Sequence, residues 1–162
     1  MDLAQLKDKL VKRFSNISLE EFRGELTCNV EKNSLFQLMG QLRNDPDFSF
    51  NYLTDVTAVD YLKMEREPRF DIVYQLYSFP NNIRLRVTAG IPEDDLNVTS
   101  MVEFWNAANW LEREVFEMFG FNFTGHPDLR RLLLPDMFDG FPLRKDYPLH
   151  GRGERDVILD LK

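Results

Sequence analysis

Phe70-Asp71-Ile72-Val73-Tyr74-Gln75-Leu76-Tyr77-Ser78-Phe79-Pro80-Asn81-Asn82-Ile83-Arg84-Leu85-Arg86-Val87-Thr88 sets two β-prone runs on either side of a turn. The first is dense in aromatic and branched side chains. In the second, Ile83, Leu85 and Val87 alternate with Arg84, Arg86 and Thr88, the period of a strand with one wet face. Pro-Asn-Asn between them signals a hairpin. Upstream, a strand region runs from about Phe50 through Leu62, interrupted near Thr54-Asp55, and Leu26, Cys28 and Val30 alternate with Thr27 and Asn29 in a strand from about Glu25 to Val30. Leu3, Leu6, Leu10 and Phe14 recur at helical spacing over residues 2–14. Asn33-Ser34 offers a cap to a second helix carrying Leu35, Leu38, Met39 and Leu42, which ends before Asn44-Asp45-Pro46. Downstream, Gly90 to Asn97 reads as a turn-rich linker, and Thr99 or Ser100 caps a short helix containing Met101, Val102, Phe104 and Trp105. Grouped strands with helices on either side predict a single α+β domain with a mixed, largely antiparallel sheet. The division is a body over residues 1–124 and an extended C-terminal arm over residues 125–162.

The joint between the two is Trp110 to Phe119. On a helical wheel, Leu111, Val115, Phe116, Met118 and Phe119 make an apolar arc, with Arg113, Glu114 and Glu117 opposite. Glu112 falls inside the apolar arc, where a carboxylate costs several kcal/mol unless it is paired or neutralised. Arg130 and Arg131 are the candidate partners. Trp110 sits on the polar side, where an indole suggests a covering surface. Gly120 stops the helix. Prolines at 127, 135, 142 and 148 then forbid a long helix or central strand. The arm is too apolar for a solvated tail and too broken for a core element, so it lies along a surface, its own domain's or a partner's.

Composition narrows the function. Net charge is −7, with the acid excess on the body and a neutral arm, so a phosphate backbone is an unsuitable partner and nucleic acid is excluded. Cys28 is the single cysteine, which leaves no internal disulfide and no iron-sulfur cluster held by this chain alone. No apolar run approaches the roughly 20 residues of a membrane span. His126 and His150 lack metal-ligand spacing; His126, before Pro127, bonds either to nearby backbone or to a partner chain. Glu112 and Glu114 point about 200° apart on a helix and cannot share a substrate. Arg130, Arg131, Arg144 and Lys145 are interleaved with Asp128, Asp136, Asp139 and Asp146, the pattern of salt bridges or charge-assisted bonds at an interface. No catalytic, metal or cofactor site is expected. A free-standing homo-oligomeric binding module fits the same arm, and a metal-dependent hydrolase fits least.

The order Glu112-Arg113-Glu114, Met118-Phe119-Gly120, Gly125-His126-Pro127, Leu129-Arg130-Arg131 and Pro142-Leu143-Arg144-Lys145-Asp146-Tyr147-Pro148 resembles the signature of the 30 kDa subunit family (the C subunits) of respiratory complex I, the proton-pumping NADH:quinone oxidoreductase. Leu53-Thr54-Asp55-Val56-Thr57-Ala58-Val59-Asp60-Tyr61 resembles an earlier block of that family. Phe116-Glu117 stands where the family usually has Tyr-Asp. The resemblance implies a non-catalytic scaffold subunit of the peripheral arm that packs on the hydrogenase-like D subunit and adjacent iron-sulfur subunits. Flavin, iron-sulfur clusters and quinone would then lie on those partners, and membrane association, at the cytoplasmic face of a bacterial inner membrane, would be indirect. It makes Trp110, Glu112, Arg113, Glu114, His126, Pro127, Arg130, Arg131, Arg144, Lys145, Asp146 and Tyr147 candidates for partner contacts or structural ion pairs. The equivalent small subunit of a membrane-bound hydrogenase or related complex shares the signature and is the alternative.

Overall fold

The computed structural model describes residues 1–64 and 66–153; the rest of the arm, residues 154–162, lies outside the described residues. Helix α1 (Leu3–Arg13) starts on a reciprocal cap in which Gln5 N donates to Asp2 Oδ1 at 2.8 Å and Asp2 N to Gln5 Oε1 at 3.1 Å. Strands β1 (Ile17–Phe22) and β2 (Glu25–Val30) form a hairpin turned at Arg23-Gly24. Helix α2 (Lys32–Asn44) leads to β3 (Tyr52–Asp60), β4 (Phe70–Ser78) and β5 (Ile83–Ile91), followed by β6 (Asn97–Thr99), α3 (Ala108–Phe119) and β7 (Asn122–Thr124).

The main sheet has the order β1-β2-β5-β4-β3, with β2 and β5 parallel and the other neighbours antiparallel. The β4–β5 hairpin closes at Ser78↔Ile83, around the Pro-Asn-Asn turn. Phe70, Ile72, Tyr74 and Leu76 of β4 and Leu85, Val87, Ala89 and Ile91 of β5 share one face. They pack into a single core with Leu6 and Leu10 of α1, Leu35, Leu38, Met39 and Leu42 of α2, and Val115 and Phe119 of α3. Full burial of each such large side chain is worth about 1.5–3 kcal/mol. On the other face the strands are laced by polar contacts: Arg86 Nη2 donates to Glu25 at 2.9 Å, and Thr88 meets Asn29. The parallel pair β6–β7, with Val98 opposite Phe123, ties the chain before α3 to the chain after it.

Four local expectations change. Strand β1 was not anticipated, because only Ile17 and Leu19 carry its alternation and it is an edge strand left largely exposed. Helix α2 begins at Lys32, after an extended Glu31, with no side-chain cap from Asn33 or Ser34. The linker from Gly90 to Asn97 is shorter than read, since Gly90 and Ile91 pair with Asp71 and Phe70 and Asn97 starts β6. The helix expected over Met101 to Trp105 is a run of turns, held by Trp105 N donating to Met101 O at 3.0 Å. There Met101 N donates to Glu112, and Trp105 is drawn inward to donate from Nε1 to Phe50 O at 3.1 Å.

Candidate functional site

The two sides of α3 do different work. On its inner side Glu112 is fully buried and pairs with no arginine among the described residues. Its carboxylate accepts from Ser100 Oγ and from Met101 N, each at 2.6 Å. Burial pushes its pKa up to about 7, against the pull of those two bonds. The expected pairing with Arg130 or Arg131 is therefore corrected. Ser100 and the turn after it reach Glu112 because β6 lies beside β7, a tertiary placement the sequence period does not contain. The hydroxyl of Tyr74, also fully buried, has no hydrogen-bond partner among the described residues, and burial, with the Glu112 charge nearby, raises its pKa.

On the outer side, opposite the apolar arc, Arg113 and Glu117 are only 6% and 2% exposed, because the arm lies over them. Arg113 donates from Nε to Arg130 O at 2.8 Å and from Nη2 to Arg131 O at 3.0 Å. Glu117 accepts from Leu132 N at 3.1 Å, from Leu133 N at 2.8 and 3.1 Å, and from Leu134 N at 2.9 Å. Residues four apart on a helix share one face, so this pair forms a single receptor for the arm's backbone. Arg131 folds its own turn, donating from Nη1 to the carbonyls of Pro135, Asp136 and Phe138 at 2.8, 3.2 and 2.6 Å. Arg130 is exposed and meets Asp128 at 2.9 Å.

A second clasp holds the arm farther on. Arg144 Nε donates to Phe119 O at 2.6 Å and Leu143 N to Met118 O at 3.2 Å, satisfying carbonyls at the end of α3. The arm crosses this end at Gly120, whose φ of 82° needs glycine; a Cβ there would meet Arg144 Nη2 at 2.6 Å and Phe141 Cζ at 2.7 Å. Lys145 N donates to Asp60 Oδ2 at 2.8 Å. Arg69 grips the same carboxylate from Nε and Nη2 at 2.9 and 2.8 Å, and also reaches Glu93 at 2.5 Å and Asp146 at 3.0 Å. Burial would push the Asp60 carboxyl up, but the bonds from Arg69, Lys145 N and Leu62 N outweigh it and hold the pKa at about 2. Neither Asp60 nor Arg69 was singled out from the sequence, although Asp60 shares the inward phase of Val56 and Ala58 on β3, where a carboxylate needs a partner.

The remaining candidates are dispersed. His126 bonds to backbone, with Asp128 N donating to Nδ1 and Nε2 meeting Asn109 O, both at 3.0 Å. Pro127 and Glu114 are exposed. Trp110 is 59% exposed, its ring 5.0 Å from the Arg113 guanidinium carbon. The Tyr147 ring lies 5.9 Å from that of Phe138, tilted by 30°, and the Arg152 guanidinium lies over it. Cys28 is buried, and burial pushes its thiol up to about 12, away from nucleophilic reactivity. Among the described residues no group of three or more His, Cys, Asp or Glu could hold a metal ion, and no helix is long and apolar enough to cross a membrane. What the geometry provides is an arm whose backbone is bound while some of its apolar side chains face out: Leu133 is 62%, Met137 51% and Leu143 47% exposed, whereas Leu129 packs against the core and Leu132 and Leu134 are half-buried.

Residues 28–153 match the family model of the respiratory-chain NADH dehydrogenase 30 kDa subunit. The chain belongs to that family. The NADH-quinone oxidoreductase C subunit of Geobacter metallireducens is 49% identical over 147 residues, which cover 90% of this chain and 89% of that protein. Its counterpart from Roseiflexus sp. RS-1 is 46% identical over 129 residues, 80% of this chain and 73% of that one. Among solved structures, a trypsin-resistant fragment (1–134) of Nqo5 matches with a TM-score of 0.70 at 32% identity, covering 77% of this chain and 99% of the fragment. A chain of the membrane-bound sulfane sulfur reductase, an archaeal respiratory membrane complex, shares the fold at a TM-score of 0.79 and 21% identity over 98% of this chain and 94% of its own. The 30 kDa family therefore carries the α+β fold described above, and the family model spans both clasps.

Proposed function

We propose that this chain is a non-catalytic scaffold subunit of the peripheral arm of a proton-translocating NADH:quinone oxidoreductase, in which residues 125–162 hold the hydrogenase-like D subunit in place. One observation carries this reading. Glu117, Arg113 and Asp60 tie the arm's backbone to the body while Leu133, Met137 and Leu143 face outward. Apolar side chains presented on a restrained backbone suit a protein interface. Exposed Trp110, Arg130 and Lys145 stand ready to add rim contacts. Electron transfer and quinone reduction depend on held distances and orientations, which a scaffold supplies. Flavin, iron-sulfur clusters and quinone belong, in this reading, to the D subunit and adjacent iron-sulfur subunits. The complex in turn holds the chain at the cytoplasmic face of the membrane.

Two findings support the division of labour. The trypsin-resistant Nqo5 fragment covers 77% of this chain and 99% of itself, which supports a protease-stable folded body in this family. The NADH-quinone oxidoreductase relatives, 46 to 49% identical, favour the NADH-linked complex over the hydrogenase-linked alternative.

The test is co-expression with the D subunit followed by size exclusion, using the full chain and a version ending at Thr124. Retention of the D subunit by the full chain alone is expected. Equal retention by both, or by neither, would move the interface off the arm.

A further inference from the structure

Five backbone groups of residues 130–134 are held by α3. Three consecutive amides, from Leu132, Leu133 and Leu134, converge on the Glu117 carboxylate, and the carbonyls before them are held by Arg113. Successive N–H groups turned toward one point make an anion-binding concavity, and here the anion is a side chain of the same protein. With its amides occupied, this stretch cannot recruit a partner by adding a strand, since that mode needs free backbone donors. With the amides taken, recognition falls mainly to the side chains, and Leu133 is 62% exposed. A loop already stiffened loses little conformational freedom on docking.

We propose that Glu117, with Arg113 beside it, is a positioning residue that shapes residues 130–134 into a preformed docking element, whose Leu133 enters an apolar pocket on the D subunit. This rests on the reading of the arm as the partner-holding segment. It goes further in naming the mode of contact and the residues that set its shape.

The experiment uses the full chain as wild type and as Glu117→Gln, Glu117→Asp, Leu134→Pro and Leu133→Ser. On the chain alone, trypsin cleavage after Arg130 and Arg131 reports release of the segment. Glu117→Gln and Leu134→Pro are expected to speed it about tenfold or more, because cleavage follows the open population and charge-assisted bonds are lost. Glu117→Asp, which keeps the carboxylate, restores protection, and Leu133→Ser leaves the rate unchanged. In co-expression with the D subunit, Glu117→Gln, Leu134→Pro and Leu133→Ser all lose partner that wild type retains. Should Glu117→Gln not fold, Leu134→Pro carries the test, since it removes a donor from the arm and leaves α3 intact.

Unchanged cleavage in both Glu117→Gln and Leu134→Pro would overturn the positioning role. Full retention of the D subunit by Leu133→Ser would overturn the docking element while leaving the arm as clamp. A homodimer broken by Leu133→Ser would overturn the choice of occupant. A wild-type chain that retains no D subunit would remove the parent reading and this inference together.

Discussion

The body and the arm are held by opposite means. In the body, Phe70, Ile72, Tyr74 and Leu76 bury apolar side chains against three helices, and backbone groups pair within the sheet. In the described part of the arm the backbone is what gets bound: Glu117 takes three amides, Arg113 two carbonyls, Arg144 caps α3 and Asp60 takes the Lys145 amide. Side chains such as Leu133 and Met137 are left outside. A segment with four prolines and no regular structure must still satisfy its polar groups. Here buried charges on the body do so, each gaining in return the partners that make its own burial tolerable. The consequence is an ordered surface segment whose apolar groups remain available.

Arg69 tests that contrast most severely, because it is a body residue whose partners include the arm. Arg69→Ala is expected to lower stability by about 3–5 kcal/mol, the cost of leaving the buried Asp60 uncompensated, read by denaturant unfolding. A loss under about 1 kcal/mol would mean that water reaches Asp60 and the second clasp is superficial.

Glu112, the carboxylate of α3 that the arm does not use, gives the next effect. Its folded pKa of about 7 lies above its ordinary value of 4.5. The folded state therefore holds an extra proton between those values, and its stabilising contribution is present below about pH 4.5 and lost as pH rises through about 7. Thermal or urea unfolding across that window should show about 3 kcal/mol lost with rising pH, and Glu112→Gln should flatten the slope. Asp60, held at about 2, stays ionised in the folded state throughout this window, and its contribution, complete above its ordinary value of 3.8, is lost as pH falls from there through about 2. An equal slope in wild type and Glu112→Gln would place the titrating group elsewhere.

Gly120→Ala should cost about 1–3 kcal/mol through its positive φ and should push Phe141 and Arg144 off the end of α3. Faster trypsin cleavage after Arg144, with an otherwise intact body, would show that the arm alone responds. The smallest effect is expected from Tyr74→Phe. Removing a buried hydroxyl without a partner among the described residues should change stability by less than about 1 kcal/mol, in either direction. A loss above about 2 kcal/mol would reveal a bond to that oxygen.

The sequence by itself determined the elements whose side chains repeat with a period. Strict alternation in Ile83 to Thr88 and the crowded run from Phe70 announced the central hairpin, the spacing of Leu35, Leu38, Met39 and Leu42 announced α2, and the glycine at 120 ended α3 where expected. It also singled out Glu112 as a carboxylate on an apolar face. Tertiary structure decided the rest. That Glu112 is met by Ser100 and a backbone amide rather than an arginine follows from β6 lying beside β7. That Arg113 and Glu117 are buried follows from where the arm lies, and their partners are backbone atoms, which every residue carries and no sequence pattern marks. Periodicity reports which side chains seek the core; it says nothing of which peptide group a buried charge will find.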